Sequence, residues 1–76
     1  MIASLRQRFD DQRLAELERR RSEFADLDDQ QWTRIDALTK SMFAKVLHEP
    51  TMVVRDTAGM PKGERLVEAL RALFGI

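Results

Sequence analysis

The stretch LDDQQWTRIDALTKSMFAKVLHEP, residues 27–50, begins with the signals of a helix start and continues as a strongly apolar segment. Asp28 can cap the free N–H groups of a first helical turn, and Gln31 follows three residues later, as in a capping box. Leu27 before the cap and Trp32 at the fourth helical position match a hydrophobic staple. The pattern therefore predicts a helix that starts here, with the preceding helix folded back against it.

The same stretch predicts where this second helix ends. Pro50 disfavours the α conformation of the residue before it, so we expect the helix to cover about residues 29–48. In its last turn, His48 can bond free carbonyl groups, and Thr51 can cap a short helix over about 52–57. The apolar face covers nearly half of the circumference, which is too wide for one neighbour. That face consists of Trp32, Ile35, Leu38, Thr39, Met42, Phe43, Val46 and Leu47.

Two further helices are expected on either side. No glycine or proline interrupts the chain before Pro50, so a first helix is predicted over about residues 2–25. Its apolar arc includes Leu5 and Phe9, and we expect Arg13 on the opposite, solvated face. The glycines and proline of residues 58–63 indicate a loop. A last, short helix is predicted over about residues 64–74.

These elements predict an all-α domain over residues 1–76, with two long antiparallel helices and shorter ones. The short last helix, about 16 Å long, cannot cover a hairpin whose helices are about 36 and 30 Å long. Apolar surface left exposed usually marks an interface, so we expect a helical-bundle homodimer, intertwined or packed. The expected interface comprises Ile35, Leu38, Met42, Phe43, Val46, Leu47, Leu66, Leu70 and Leu73.

Composition excludes several classes of protein. The 76 residues include 13 basic and 13 acidic side chains, so the formal net charge is zero, unlike that of a dedicated nucleic-acid binder. Cysteine is absent and there is one histidine, which leaves no disulfide and little prospect of a metal site. No stretch approaches the ~20 apolar residues of a membrane span. We expect a cytoplasmic protein.

The sequence contains no set of residues that is typical of a catalytic site. His48, with Glu49 and Thr51 nearby, is better explained by the end of a helix. The acidic pairs at 10–11 and 28–29 diverge by about 100° on a helix, so they cannot share a substrate. The glycines near residue 60 match no nucleotide-binding motif. We therefore expect no catalytic residue, cofactor site or metal site in this chain.

Several motifs resemble the C-terminal domain of glutamyl-tRNA reductases. They are Leu38-Thr39-Lys40, the run Val46-Leu47-His48-Glu49-Pro50-Thr51, Arg55, and the ending Leu70-Arg71-Ala72-Leu73-Phe74-Gly75. The resemblance covers essentially the whole chain and is strongest over residues 35–55. Ala44 departs from the pattern, because an asparagine is common there, as do Lys40 and Val54, where arginine and leucine are usual.

The resemblance implies that this chain joins two subunits of a V-shaped homodimer and is not itself catalytic. The enzyme it implies reduces the glutamyl group on its tRNA to glutamate-1-semialdehyde with NADPH, toward tetrapyrroles. The resemblance places the catalytic cysteine and the NADPH site in other domains. In plant relatives the domain also binds a regulatory protein, so the resemblance extends to a partner of that kind.

Two other classes of function remain open from the residues alone. One is a tRNA-contacting helical module that uses Arg19, Arg20 and Arg21, although acidic residues are interleaved with them. The other is a free-standing helical adaptor that binds the helix of another protein in its exposed groove.

Overall fold

The computed structural model describes all 76 residues and is entirely helical, which confirms the predicted all-α class. Three α-helices, α1 to α3, and one short 3₁₀ helix follow each other along the chain. They are α1 (Ile2–Arg19), the 3₁₀ helix (Arg21–Phe24), α2 (Asp29–Asp56) and α3 (Pro61–Phe74).

The first helix is shorter than predicted. α1 ends at Arg19, and Arg20 leaves the helical conformation with φ −96° and ψ 1°. The 3₁₀ helix that follows brings the Phe24 ring to 6.4 Å from the Trp32 ring, and the Arg21 guanidinium to 5.1 Å from the same ring. The expectation of one helix over 2–25 is therefore wrong, because these contacts with Trp32 require the chain to turn before α2 begins.

The start of α2 has both hydrogen bonds of the expected capping box. The side chain of Asp28 accepts from the Gln31 backbone N–H at 2.7 Å, and the Gln31 side chain accepts from the Asp28 backbone N–H at 3.0 Å. Two N–H groups that a helix start leaves without partners are thereby satisfied. This cap fixes the point at which the long helix begins.

Pro50 does not end α2, so the predicted stop near His48 and the separate helix over 52–57 are both wrong. α2 runs through the proline to Asp56. Proline has no N–H, so the Val46 carbonyl loses its helical partner. Leu47 and Thr51, on either side of the proline, are buried at 7% and 6% exposure. We attribute the continuity of α2 to this burial. His48 is exposed within the helix and Thr51 caps nothing.

The turn between α2 and α3 is tighter than the predicted loop, since α3 begins at Pro61 rather than near residue 64. Proline is favoured at the first helical position, where its missing N–H costs nothing. Gly59 has a φ of 80°, which suits glycine. A Cβ on Gly63 would lie 2.0 Å from the Thr57 carbonyl oxygen. α3 can therefore start against the end of α2 only with a glycine there.

The helices pack side by side with very little enclosed core. Phe9 of α1 contacts Phe43 of α2 edge-on, with ring centroids 5.9 Å apart, and Phe74 of α3 at 5.3 Å. α1 and α2 are antiparallel, because Arg13, later in α1, reaches Asp36, earlier in α2. Leu5 and Leu47 are the only large apolar side chains that are buried, at 2% and 7% exposure.

The overall shape is elongated. The chain measures 51 × 20 × 13 Å, with a radius of gyration of 15.7 Å. A compact domain of this length would have a radius of gyration of about 11 Å. α3 lies along only part of the α1–α2 hairpin, so the remainder of the hairpin has no third layer.

Candidate interaction surface

The folded chain leaves far more surface in contact with water than a monomer of its mass normally does. Its accessible area is 5976 Å² for 8.8 kDa. A typical folded monomer of that mass exposes about 4,800 Å², so the excess is about 1,200 Å². A stable protein interface of standard size covers about 800 Å² on each partner. The excess is thus large enough to be the free half of an interface.

Much of the exposed apolar surface lies on one side of α2. Leu38, Met42, Val46 and Val53 are 61%, 55%, 61% and 45% exposed. With the half-buried Ile35 they fall within an arc of about 80°, on the side of the helix away from Leu47. α2 therefore has two apolar faces, one packed inside the chain and one facing water. We call the second face the α2 stripe: Ile35, Leu38, Met42, Val46 and Val53.

The structure divides the interface predicted from the sequence. Leu38, Met42 and Val46 lie in the α2 stripe, and Leu73 on α3 is exposed at 76%. Phe43 and Leu47 instead point inside the chain, with Phe43 against Phe9 and Leu47 buried. These two side chains pack within the chain and lie outside the α2 stripe. Leu66 and Leu70 are half-buried on α3.

Charged side chains within and beside the α2 stripe lack partners in the chain. Glu49 falls within its arc, between Val46 and Val53, and Arg34 and Lys45 lie along one border. All three are exposed, and none takes part in the six ion pairs of the chain. They are available to pair with charges on another molecule.

A buried arginine joins α1 to α2, contrary to the expectation that Arg13 is solvated. Its guanidinium donates to Asp36 at 2.7 Å, to Asp10 at 2.9 Å and to the Thr39 hydroxyl at 3.2 Å. Arg13 is 6% exposed. The hydrogen bond to Asp36, despite desolvation by burial, raises the pKa of Arg13 above its usual value. The sequence held a signal, since Arg13 follows Phe9 by four residues and so shares its helix face.

The basic run at the end of α1 is paired with acidic side chains. Arg19 and Arg20 both contact Glu16, Arg20 also contacts Glu23, and Arg21 lies 3.7 Å from Glu18. The hydrogen bonds from Arg19 and then Arg20 lower the pKa of Glu16 to about 2. Phosphate groups would have to compete with these carboxylates, which weakens the case for a tRNA contact here.

The remaining candidates do not assemble into a reactive site. His48 and Glu49 are exposed on α2, while Thr51 is buried and its Oγ1 has no hydrogen-bond partner. No cluster of three or more His, Asp or Glu side chains is arranged to hold a metal ion. None of the helices combines the length and apolarity that a membrane crossing requires.

An open groove of about 500 Å³ runs between α1 and α2. Phe9, Phe43 and Leu47 contribute apolar surface to it, and Arg6 and Lys40 line it as well. Ala44, the position at which the resemblance would favour asparagine, also lines it. Among the side chains that line the groove, no buried nitrogen or oxygen atom lacks a hydrogen-bond partner.

Comparison with known proteins agrees with this geometry. The family model described as glutamyl-tRNAGlu reductase, dimerisation domain, matches residues 1–76. The glutamyl-tRNA reductase of Geobacter sulfurreducens is 39% identical over 75 residues, and that of Frankia alni is 37% identical over 75 residues. Each alignment covers 99% of this chain but only 17% and 16% of the respective relative. No solved structure shows significant similarity to the chain.

Proposed function

The chain belongs to the glutamyl-tRNA reductase dimerisation-domain family, and from that premise we propose that it holds two reductase subunits together as a homodimer. The family model that matches is that of the dimerisation domain and not of the catalytic region, so this segment is non-catalytic. Its contribution to the enzyme is to bring two copies together and hold them in a fixed arrangement.

The observation that carries this proposal is the α2 stripe. Four of its five side chains are exposed, although a monomeric protein would gain by covering them. Two copies of the chain, each with about 1,200 Å² to spare, could bury about 2,400 Å² in total, which is the size of an obligate dimer interface. A second copy offers an identical apolar face, so the stripe supports self-association.

The activity of the whole enzyme is a further part of the proposal. The chain spans about one sixth of the length of the relatives it matches. We propose that the protein containing it reduces the glutamyl group of glutamyl-tRNA to glutamate-1-semialdehyde with NADPH, in the cytoplasm, as a step toward tetrapyrroles. Substrate and cofactor would then be bound by parts of the protein other than these 76 residues.

A regulatory protein and tRNA are weaker candidates for partners. A regulatory protein would need apolar surface that the homodimer leaves free, for which exposed Leu73 and Met60 are candidates. Direct contact with tRNA is disfavoured by the carboxylates that pair with Arg19, Arg20 and Arg21. Neither partner accounts for the α2 stripe as simply as a second copy does.

Sedimentation equilibrium over a range of concentrations tests the homodimer. We expect a mass of twice 8.8 kDa at micromolar concentrations, with dissociation and loss of helical circular dichroism together on dilution. A chain that stays monomeric and folded at high micromolar concentration would refute the proposal.

A further inference from the structure

We infer that the two copies pair through their α2 stripes in antiparallel orientation, around a two-fold axis that passes close to Met42. Leu38 of one copy then lies opposite Val46 of the partner subunit. This inference rests on the proposed homodimer and specifies its geometry.

The distribution of exposure along the stripe places the axis. Leu38 and Val46 are equally exposed, at 61%, and Met42 lies midway between them at 55%. Each is four residues from Met42, or about 6 Å along the helix. A two-fold axis perpendicular to α2 exchanges positions that are equally distant from it. With the axis at Met42, Leu38 of each copy packs against Val46 of the partner subunit, and the two flexible Met42 side chains fill the centre.

The charges beside the stripe favour the same arrangement. Glu49 follows Met42 by seven residues, and Arg34 precedes Met42 by eight. The two-fold axis at Met42 therefore brings Glu49 of one copy close to Arg34 of the partner subunit, on the same side of the stripe. Neither side chain has an ion pair within its own chain. Because the axis repeats the contact, two intersubunit ion pairs form.

A parallel arrangement places like charges together. An axis that runs along α2 would set residues near the middle of the stripe beside their own copies, so Glu49 would face Glu49 between the two apolar stripes. Like charges at an interface that excludes water are unfavourable. The parallel pairing also leaves Arg34 without an acidic partner, so charge complementarity supports the antiparallel pairing.

Cysteine cross-linking distinguishes the two orientations, and the chain has no native cysteine to interfere. The variants are Leu38→Cys and Val46→Cys, one of them carrying an affinity tag so that mixed dimers differ in mass. The antiparallel pairing predicts that an oxidised mixture gives mainly the mixed Leu38→Cys with Val46→Cys disulfide, since these Cβ atoms would approach the distance a disulfide needs. Ala37→Cys, exposed on α2 away from the stripe, serves as the control and should not cross-link.

The outcomes separate this inference from the proposed function. Predominant disulfides between identical variants, or no disulfide in a mixture that sedimentation shows to be dimeric, would overturn the antiparallel pairing while the homodimer stands. A native chain that is monomeric at every concentration would overturn both.

Charge reversal gives a second test. Glu49→Arg and Arg34→Glu should each raise the dimer Kd about tenfold, because each replaces two attractive contacts with two repulsive ones. Combining both substitutions in one chain should return Kd to within about threefold of the native value. Additive weakening in the double variant would show that the two residues do not meet.

Discussion

The guanidinium of Arg13 on α1 lies 2.7 Å from a carboxylate oxygen of Asp36 on α2. The arginine side chain is 5% exposed, whereas that of Asp36 is 45% exposed, so the ion pair lies at the border between the helix contact and water. Asp10 and Thr39 complete the hydrogen bonding of the guanidinium. The last aromatic residue of α3, Phe74, contacts Phe9 on α1. The Arg13 contacts join α1 to α2 one helical turn beyond Phe9.

Removal of the carboxylate should therefore loosen the hairpin. We expect Asp36→Ala to lower the free energy of unfolding by about 1–3 kcal/mol, since Arg13 stays buried with one acidic partner fewer. Urea denaturation measures the change. Asp11→Ala, which removes an exposed carboxylate of α1 that bonds only Gln7, should change stability by less than about 0.5 kcal/mol. An equal effect of the two substitutions would contradict the role assigned to the ion pair.

A negative charge in the α2 stripe should weaken the dimer. We expect Val46→Glu to raise the dimer Kd at least about 100-fold, because association would bury an unpaired carboxylate. Ala37→Glu introduces the same charge on an exposed part of α2 outside the stripe and should leave Kd unchanged. Sedimentation velocity gives both values. A dimeric Val46→Glu chain would show that the interface lies elsewhere.

The sequence predicted the helices and much of the exposed face, but not how α2 divides its apolar residues between two neighbours. Periodicity showed that the apolar face of α2 is too wide for one partner, yet it could not assign Phe43 and Leu47 to the inside of the chain and Leu38 and Val46 to the outside. That division depends on where α1 packs, which the Arg13–Asp36 contact fixes. Arg13 follows Phe9 by four residues and so lies on the apolar face of α1, but its partner Asp36 belongs to another helix and could not be identified from the sequence.

Helix ends were predicted well where the signal is local and poorly where packing decides. The Asp28–Gln31 cap depends on four consecutive residues and is present as expected. Pro50 disfavours a helix locally, yet α2 continues through it without a break. Leu47 and Thr51, on either side of the proline, are both buried. Packing of this kind cannot be read from a single stretch of sequence.

The position of Pro50 inside α2 leads to a direct test. Pro50→Ala should raise the free energy of unfolding by about 1–3 kcal/mol, because the alanine N–H can donate to the Val46 carbonyl and the ring no longer crowds it. Pro61→Ala is the matched control, since a proline at the first position of α3 sacrifices no hydrogen bond, and we expect a change below about 0.5 kcal/mol. Urea denaturation of both variants gives the comparison. No gain for Pro50→Ala would indicate that the helix ends at the proline.

Stability should also depend on the protonation of Glu16 in acid. Its pKa is about 2 in the folded chain, below the ordinary value of 4.5, first because of the hydrogen bonds from Arg19 and then because of those from Arg20. A lowered pKa means that the unfolded chain binds the proton more readily, so the stabilisation is complete above pH 4.5 and disappears as the pH falls toward 2.

Glu16→Gln removes this titration, and the unfolding free energy of this variant should fall less steeply than that of the native chain between pH 4.5 and pH 2. Urea denaturation at half-unit pH steps and fixed protein concentration measures both slopes, with Glu64→Gln, a surface carboxylate without an ion pair, as the control. Identical slopes for the native chain and Glu16→Gln would mean that the Arg19 and Arg20 contacts do not persist in solution.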